Sequence, residues 1–245
     1  MPVYCITGTN RGIGLEFVRQ LVQSSDNTII AGVRSLDSDL GDLKSLTSAS
    51  PSAHILQLDV GSSSSIQEFA KAAAGLLKEN SGDKKIDFLL NSAGVNIGSA
   101  QNSLNLVAED VHSQITINVL GPAQLTASLL EAKLLSSDVR ILNMTSGLAS
   151  SQLSTENRPN KCTGYSISKA GLNMLSIHQA DHLKAHLPGV VVVVMDPGWV
   201  KTRMGGNGAH LEPEESVGSI VNVLQGLKTE DNGGFFHYTG KRLPW

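Results

Sequence analysis

Val3-Tyr4-Cys5-Ile6-Thr7-Gly8-Thr9-Asn10-Arg11-Gly12-Ile13-Gly14 begins as an apolar run and passes into a glycine-rich turn. Residues 3–6 read as a short buried strand, and Leu15 to Ser24 reads as a helix. Glycines between them let the backbone turn tightly and approach a ligand closely. A helix that starts there offers free N–H groups and the positive end of its dipole. Strand, glycine turn and helix in that order suit the pyrophosphate of a dinucleotide. The spacing is Gly-x-x-x-Gly-x-Gly, not the commoner Gly-x-Gly-x-x-Gly.

The same alternation continues outward from this stretch. Short apolar strands are expected at Thr28–Val33, Ile55–Leu58, Ile86–Leu90, Val139–Met144, Val190–Met195 and Phe235–Tyr238. Helices are expected at Asp37–Ser50, Ser65–Glu79, Gly164–Leu187 and Val217–Leu227. A long helical region is expected over Leu104–Leu135, interrupted near Gly121-Pro122. Strands separated by helices imply an α/β fold: a doubly wound, parallel, seven-stranded sheet with helices on both faces. With no linker or composition break, residues 1–245 are expected to form one domain. Ligands of such sheets sit outside the carboxyl ends of the strands. The polar clusters fall at those ends: Thr7–Gly14, Arg34-Ser35, Asp59, Asn91–Gly94, Thr145-Ser146 and Asp196–Thr202.

Hydrophobic residues make up 40% and charged residues 17%, which suits a globular protein with a large core. A net charge of −3 gives no reason to expect nucleic acid or a membrane surface as a partner. Cys5 and Cys162 have no metal-ligand spacing, so no metal site is expected, and Cys5 reads as a core thiol. Met1 to Ile6 carries no charged n-region, and Val190–Met195 is too short to span a bilayer. The expectation is a cytoplasmic protein.

Arg34 lies just past the second strand, where a dinucleotide's adenine ribose would sit. An acid there takes the ribose 2′-hydroxyl of NAD, whereas an arginine accommodates a 2′-phosphate. Gly32-Val33-Arg34-Ser35 contains no acid. Arg11 can close on the same phosphate from the glycine loop, and Ser35 can add a hydroxyl. The cofactor expected is therefore NADP(H). Gly8, Asn10, Arg11, Gly12, Ile13 and Gly14 would line its phosphates. Asp59, with Val60 beside it, would meet the adenine. Asn91, Ala93 and Gly94 would pass beneath the adenosine ribose.

Tyr165 and Lys169 stand four residues apart in Thr163-Gly164-Tyr165-Ser166-Ile167-Ser168-Lys169 and share one helix face. A cation one turn away is expected to lower the tyrosine pKa and make the pair a general acid/base.

Taken together, Thr-Gly-x-x-x-Gly-x-Gly, Asn91-Ser92-Ala93-Gly94, Asn118, Ser146, Tyr165-x-x-x-Lys169 and Pro197-Gly198-x-Val200-x-Thr202 resemble the short-chain dehydrogenases/reductases. The match runs in order from Thr7 to Thr202. Asn10-Arg11-Gly12 and the ending Gly233-Gly234-Phe235…Gly240…Pro244-Trp245 are most similar to small carbonyl reductases of the sniffer and C-factor type. The resemblance implies a Rossmann fold, a nicotinamide cofactor and a catalytic tetrad of Asn118, Ser146, Tyr165 and Lys169. Tyr165 would protonate a carbonyl oxygen and Ser146 would hold that oxygen. Lys169 would lower the tyrosine pKa and bind the nicotinamide ribose, while Asn118 would hold a water leading to solvent. Pro197, Gly198, Val200 and Thr202 would face the nicotinamide.

Two departures stand out: Ser92 replaces the second asparagine of the usual Asn-Asn-Ala-Gly, and Tyr165 follows Ser146 by an enlarged interval. Leu148–Cys162 is expected to form a loop over the substrate. Ser146, Leu148, Leu153, Tyr165, Trp199 and Met204 would line an apolar pocket.

The function expected is NADPH-dependent carbonyl reduction. An NADP-binding regulator or scaffold and an alcohol dehydrogenase are the alternatives. Ser166–Ala180 has Lys169 as its only formal charge, so a homodimer or homotetramer is expected through this helix. Pro122 has no N–H for the carbonyl of Asn118, so the helix should deform there.

Overall fold

The computed structural model describes residues 1–81 and 84–245. Among these, seven parallel strands form one sheet: β1 (Val3–Thr7), β2 (Thr28–Val33), β3 (Ala53–Gln57), β4 (Ile86–Asn91), β5 (Leu135–Met144), β6 (Val191–Asp196) and β7 (Gly234–His237). Their spatial order is β3-β2-β1-β4-β5-β6-β7. The order reverses between β1 and β4, and a crevice opens there at the carboxyl edge. The helices are α1 (Gly12–Leu21), α2 (Gly41–Ser48), α3 (Ser63–Ser81), α4 (Ala108–Ile115), α5 (Gly121–Glu131), α6 (Ser151–Asn157), α7 (Thr163–His182) and α8 (Pro213–Gly226).

The strands are apolar throughout because both faces of the sheet are covered. Alternate residues of β1 go to opposite cores. Val3 and Cys5 join Ile66 and Phe69 of α3 and Leu125 and Leu129 of α5. Tyr4 and Ile6 join Phe17 and Val18 of α1, Leu43 of α2, and Val217 and Ile220 of α8. Cys5 is fully buried, as expected of a core thiol, and burial pushes its pKa up to about 12.

Three segments differ from the sequence expectation. The helix over Leu104–Leu135 is shorter and is built in three pieces. Leu104 lies in a turn in which Asn102 Oδ1 accepts the Leu104 N–H and Asn105 Oδ1 accepts the Asn102 N–H. Such side-chain bonds to nearby backbone compete with helix. Between α4 and α5, Thr116–Leu120 forms a π-helix in which the Gly121 N–H reaches Thr116 O. Gly121 packs tightly on the strand-end segment after β3: a β-carbon there would lie 2.9 Å from Val60 O. The C-terminal part of the expected helix is instead a turn through Lys133 (φ 57°) and the start of β5. Polar Ser136-Ser137-Asp138 hid that start, although Leu135 pairs with Ile86.

Leu148–Cys162 is also not an open loop. A 3-10 turn at Gly147–Ala149 leads into α6, whose N-cap Ser150 accepts from the Leu153 N–H at 3.1 Å. Arg158 closes α6 in the left-handed region, and Pro159 prevents its continuation.

Candidate active site

The glycine loop is shaped by contacts that only glycine permits. Gly8 has φ +72°, and a β-carbon there would lie 2.9 Å from Ala93 Cα. At Gly14 it would come within 2.2 Å of Gly8 O, which is backbone and cannot swing aside. The loop is further tied down by Gly8 N–H and Thr9 Oγ1, both donating to Gly32 O, and by the Ala93 N–H donating to Thr7 Oγ1. No side chain caps the N-terminus of α1, where Arg11 is the N-cap. Its free N–H groups, at the positive end of the helix dipole, fit an anionic ligand.

Arg11 and Arg34 are exposed at the two sides of this edge, and neither is in an ion pair among the described residues. Ser35 Oγ accepts the Asp37 N–H, which leaves its own proton to donate. Asp59 Oδ1 accepts the Gly61 N–H, and the Asp59 N–H donates to Ser65 Oγ. Asn91 points into the protein, donating to Asn143 Oδ1. Asn143 then donates to Ser176 Oγ and Gln179 Oε1 on α7. Together with Thr145 Oγ1 donating to Asn173 Oδ1, these buried bonds fix α7 against β4 and β5. Asn91 therefore acts by placing α7.

Tyr165 and Lys169 lie one turn apart on α7, with Lys169 Nζ 5.7 Å from the tyrosine ring centroid. The entry to α7 is pinned by Cys162, whose N–H donates to Ser99 O. Gly164 lets α7 approach α4: a β-carbon there would lie 2.7 Å from Gln114 Nε2. Lys169 is buried, donates to Met144 O at 2.7 Å, and has its pKa pushed down to about 7 by burial. At Gly94 a β-carbon would lie 3.3 Å from Lys169 Nζ and 3.2 Å from Asn118 Oδ1, so glycine keeps this pocket open.

The expected lowering of the Tyr165 pKa is not what the structure shows. Its phenol is pushed up, first by burial, then by the carboxylate of Asp196 and by Cys162. Part of the side chain is accessible, but the surroundings of the hydroxyl are dense. Helical spacing reveals the lysine one turn away. It reveals neither the desolvation nor the acid arriving from β6. Tyr165 thus holds its proton firmly.

Ser146 stands at the end of β5 as N-cap of the 3-10 turn, its Oγ accepting the Leu148 N–H at 3.2 Å. Its own O–H proton stays available for an oxygen in the cleft. The side chain of buried Asn118 is fully engaged: Oδ1 accepts the Val95 N–H, and Nδ2 donates to Val95 O and Ser168 Oγ. Any water held at Asn118 therefore belongs to its backbone carbonyl. That carbonyl sits in the π-helix just before Pro122, and π turns of this kind recur at functional sites.

Across the cleft, Pro197 O accepts from Ser216 Oγ, and Gly198 takes φ +78° with Leu211 and Tyr238 packed against it. Val200 is buried, and Thr202 comes back to the glycine loop: Gly12 would place a β-carbon 3.4 Å from Thr202 Cγ2. Trp199 is 50% exposed and folded onto its own loop, its indole N–H donating to Gly205 O at 2.8 Å and its ring edge-on to His210. Met204 is likewise 50% exposed. Leu148 and Leu153 are partly buried around the 3-10 turn and α6. The structure adds Asp196, a strand-end acid beside Pro197-Gly198 that the sequence reading placed in a polar cluster without a role.

The short chain dehydrogenase family profile matches residues 2–213. The chain belongs to the short-chain dehydrogenase family. This short-chain dehydrogenase is 34% identical over 161 residues to the C-signal protein of Myxococcus xanthus, covering 65% of this chain and 93% of that protein. It is 31% identical to an uncharacterized oxidoreductase of Schizosaccharomyces pombe, covering 99% of this chain and 97% of that one. Its fold matches the NADPH-bound carbonyl reductase from chicken fatty liver with a TM-score of 0.90 and 30% identity, over 100% of both chains. The carbonyl reductase Sniffer of D. melanogaster matches with a TM-score of 0.89 and 27% identity, over 100% of this chain and 99% of that one. Among the described residues, no helix is long and apolar enough to cross a membrane.

Proposed function

We propose that this oxidoreductase is an NADPH-dependent carbonyl reductase, working as one cytoplasmic catalytic domain over residues 1–245. The observation that carries the reading is the convergence of Ser146, Tyr165 and Lys169 at the sheet edge that also bears the open N-terminus of α1. The chicken fatty liver reductase, with NADPH bound, supports the choice of cofactor. So do Arg11 and Arg34, unpaired by any acid and placed on either side of the edge, with the Ser35 hydroxyl beside them.

The nicotinamide, when bound, supplies the hydride. The chain's residues do the rest. Ser146 donates its free proton to the carbonyl oxygen and stabilises the charge that develops there. Tyr165 gives its proton to the same oxygen as a general acid. The phenolate that results needs a cation, and Lys169 is the one on its helix face. Protonation of Lys169 is the cost of its burial, and its bond to Met144 O holds it in place meanwhile. The Asn118 carbonyl offers a water site through which protons return. Half-exposed Trp199 and Met204, with Leu148 and Leu153, favour aromatic or medium aliphatic carbonyls over small anions.

Leu120, Ile167, Met174 and Ile177 are exposed apolar side chains, three of them on α7. This surface supports a homodimer or homotetramer with α7 in the interface, which sedimentation at micromolar concentration checks. The functional reading is tested by NADPH consumption with a panel of ketones, aldehydes and quinones. Turnover confined to such carbonyls supports it. NADPH binding without turnover on any of them would instead favour a regulator.

A further inference from the structure

Asp196 ends β6 immediately before Pro197-Gly198, and no step above uses it. Its carboxylate sits between two turns. Oδ1 accepts the Gly198 N–H at 3.1 Å, and the Gly147 N–H also favours its charged form. Oδ2 is so close to Gly147 that a β-carbon there would lie 3.1 Å from it. Gly147 directly follows Ser146, and Gly198 directly precedes Trp199 and Val200. One side chain thus joins the turn carrying the oxygen-holding hydroxyl to the turn proposed to face the nicotinamide. Its own backbone carbonyl accepts the Tyr238 N–H, which fixes it to the segment after β7.

The same carboxylate acts on Tyr165. A negative charge beside a phenol disfavours the phenolate. Lys169 and Cys162 face Tyr165 from α7 and its N-terminal turn, and Asp196 faces it from β6. His237 on β7 faces Asp196, together with the two N–H groups. Burial pushes the Asp196 carboxyl up, while Gly198, Gly147 and His237 oppose this. In the alkaline range where a phenol would ionise, the carboxylate is charged.

We propose that Asp196 is a positioning residue that clasps the Ser146 turn to the Pro197–Thr202 turn and holds Tyr165 in its proton-bearing form. This rests on the carbonyl reductase reading, in which Tyr165 must still carry the proton that it donates. Asp196 touches neither substrate nor hydride; it acts through Ser146 and Tyr165.

The test is Asp196→Asn, with Asp196→Ser as a second neutral variant should the first not fold. The serine hydroxyl can still accept the Gly198 N–H. Ketone reduction is followed against pH. The alkaline fall in kcat/KM is expected to move down by about one pH unit in the neutral variants, because a repulsive charge is gone. Asp196→Glu, which keeps the charge, should return the fall to its wild-type position. In parallel, tyrosinate absorbance of the cofactor-free protein is titrated against a Tyr165→Phe background. The onset of Tyr165 ionisation should also move down. Because this second readout needs no turnover, the two ideas separate. A shifted onset in a protein that reduces no carbonyl sinks the reductase reading and keeps Asp196. Rates lowered equally at every pH, with limb and onset unmoved, would overturn the role of the Asp196 charge.

Discussion

The two walls of the cleft are built in opposite ways. On the wall of β1 and α1, backbone meets backbone. Gly8, Gly14 and Gly32 O lie so close that no side chain fits, and Thr7 and Thr9 lock the turn with their hydroxyls. On the wall of Trp199–Leu211, side chains meet side chains or solvent. Trp199 leans on Gly208 and His210, and Met204 projects outward. The first wall suits a ligand that never changes, the second a ligand set by which side chains happen to be present. Chemistry lies between them, on β5 and α7, where a buried asparagine, serine and glutamine network removes freedom from Tyr165 and Lys169.

One substitution made on both walls breaks the comparison or sharpens it. Gly14→Ala drives a β-carbon to 2.2 Å from a carbonyl oxygen that cannot move alone. NADPH affinity, read by fluorescence titration, should fall on the order of 100-fold or more, as for any misplacement of about 1 Å in a positioning element. Gly208→Ala meets Trp199 Cη2 at 2.5 Å, but that is the far end of a half-exposed side chain. Trp199 can swing away, so NADPH affinity should stay within a few-fold while KM for bulky ketones changes. Equal losses of cofactor from both variants would mean that the walls are not distinct.

Arg34→Asp comes next in size. It removes the cation proposed to take the 2′-phosphate and puts an acid where a ribose hydroxyl would be. The ratio of kcat/KM for NADPH over NADH should drop by roughly 100-fold, the scale of one or two charge-assisted hydrogen bonds. An unchanged ratio would make Arg34 a solvated surface residue.

A smaller effect separates the region between the walls from both. Lys169 has its pKa pushed down to about 7 in the folded protein, from 10.5 ordinarily. Between those values the unfolded chain binds a proton that the folded chain releases. Stability of the cofactor-free protein therefore rises with pH across this window. Lys169→Met should lose that rise. The melting temperature of the wild type should gain roughly 5 °C more than the variant's between pH 7 and pH 9. Identical pH dependence would place Lys169 in water rather than in the core.

The fold was legible because its determinants are local and repeated. Each strand is a short apolar run, and each polar cluster follows one, so the carboxyl edge could be drawn before any coordinate. Ser146, Tyr165, Lys169 and the glycine loop were found by the same logic, and they do converge. What stayed hidden depends on distant neighbours. The π-helix at Thr116–Leu120 follows from Pro122 and from the pressure of Val60 on Gly121, and only the proline showed in the sequence. The helix α6 is seven polar residues whose cap, Ser150, also donates to Trp245 O, ninety-five residues away. The Tyr165 pKa moved opposite to expectation because burial and Asp196 outweigh a lysine whose own proton is weakly held.

The central claim is that Tyr165 donates the proton while the hydride comes from NADPH. Tyr165→Phe keeps the ring and removes the donor. NADPH oxidation with a ketone that the wild type reduces should fall by about 10²–10⁴-fold, the usual contribution of a general acid, while the dissociation constant for NADPH stays within a few-fold. Wild-type rates in that variant would contradict the account.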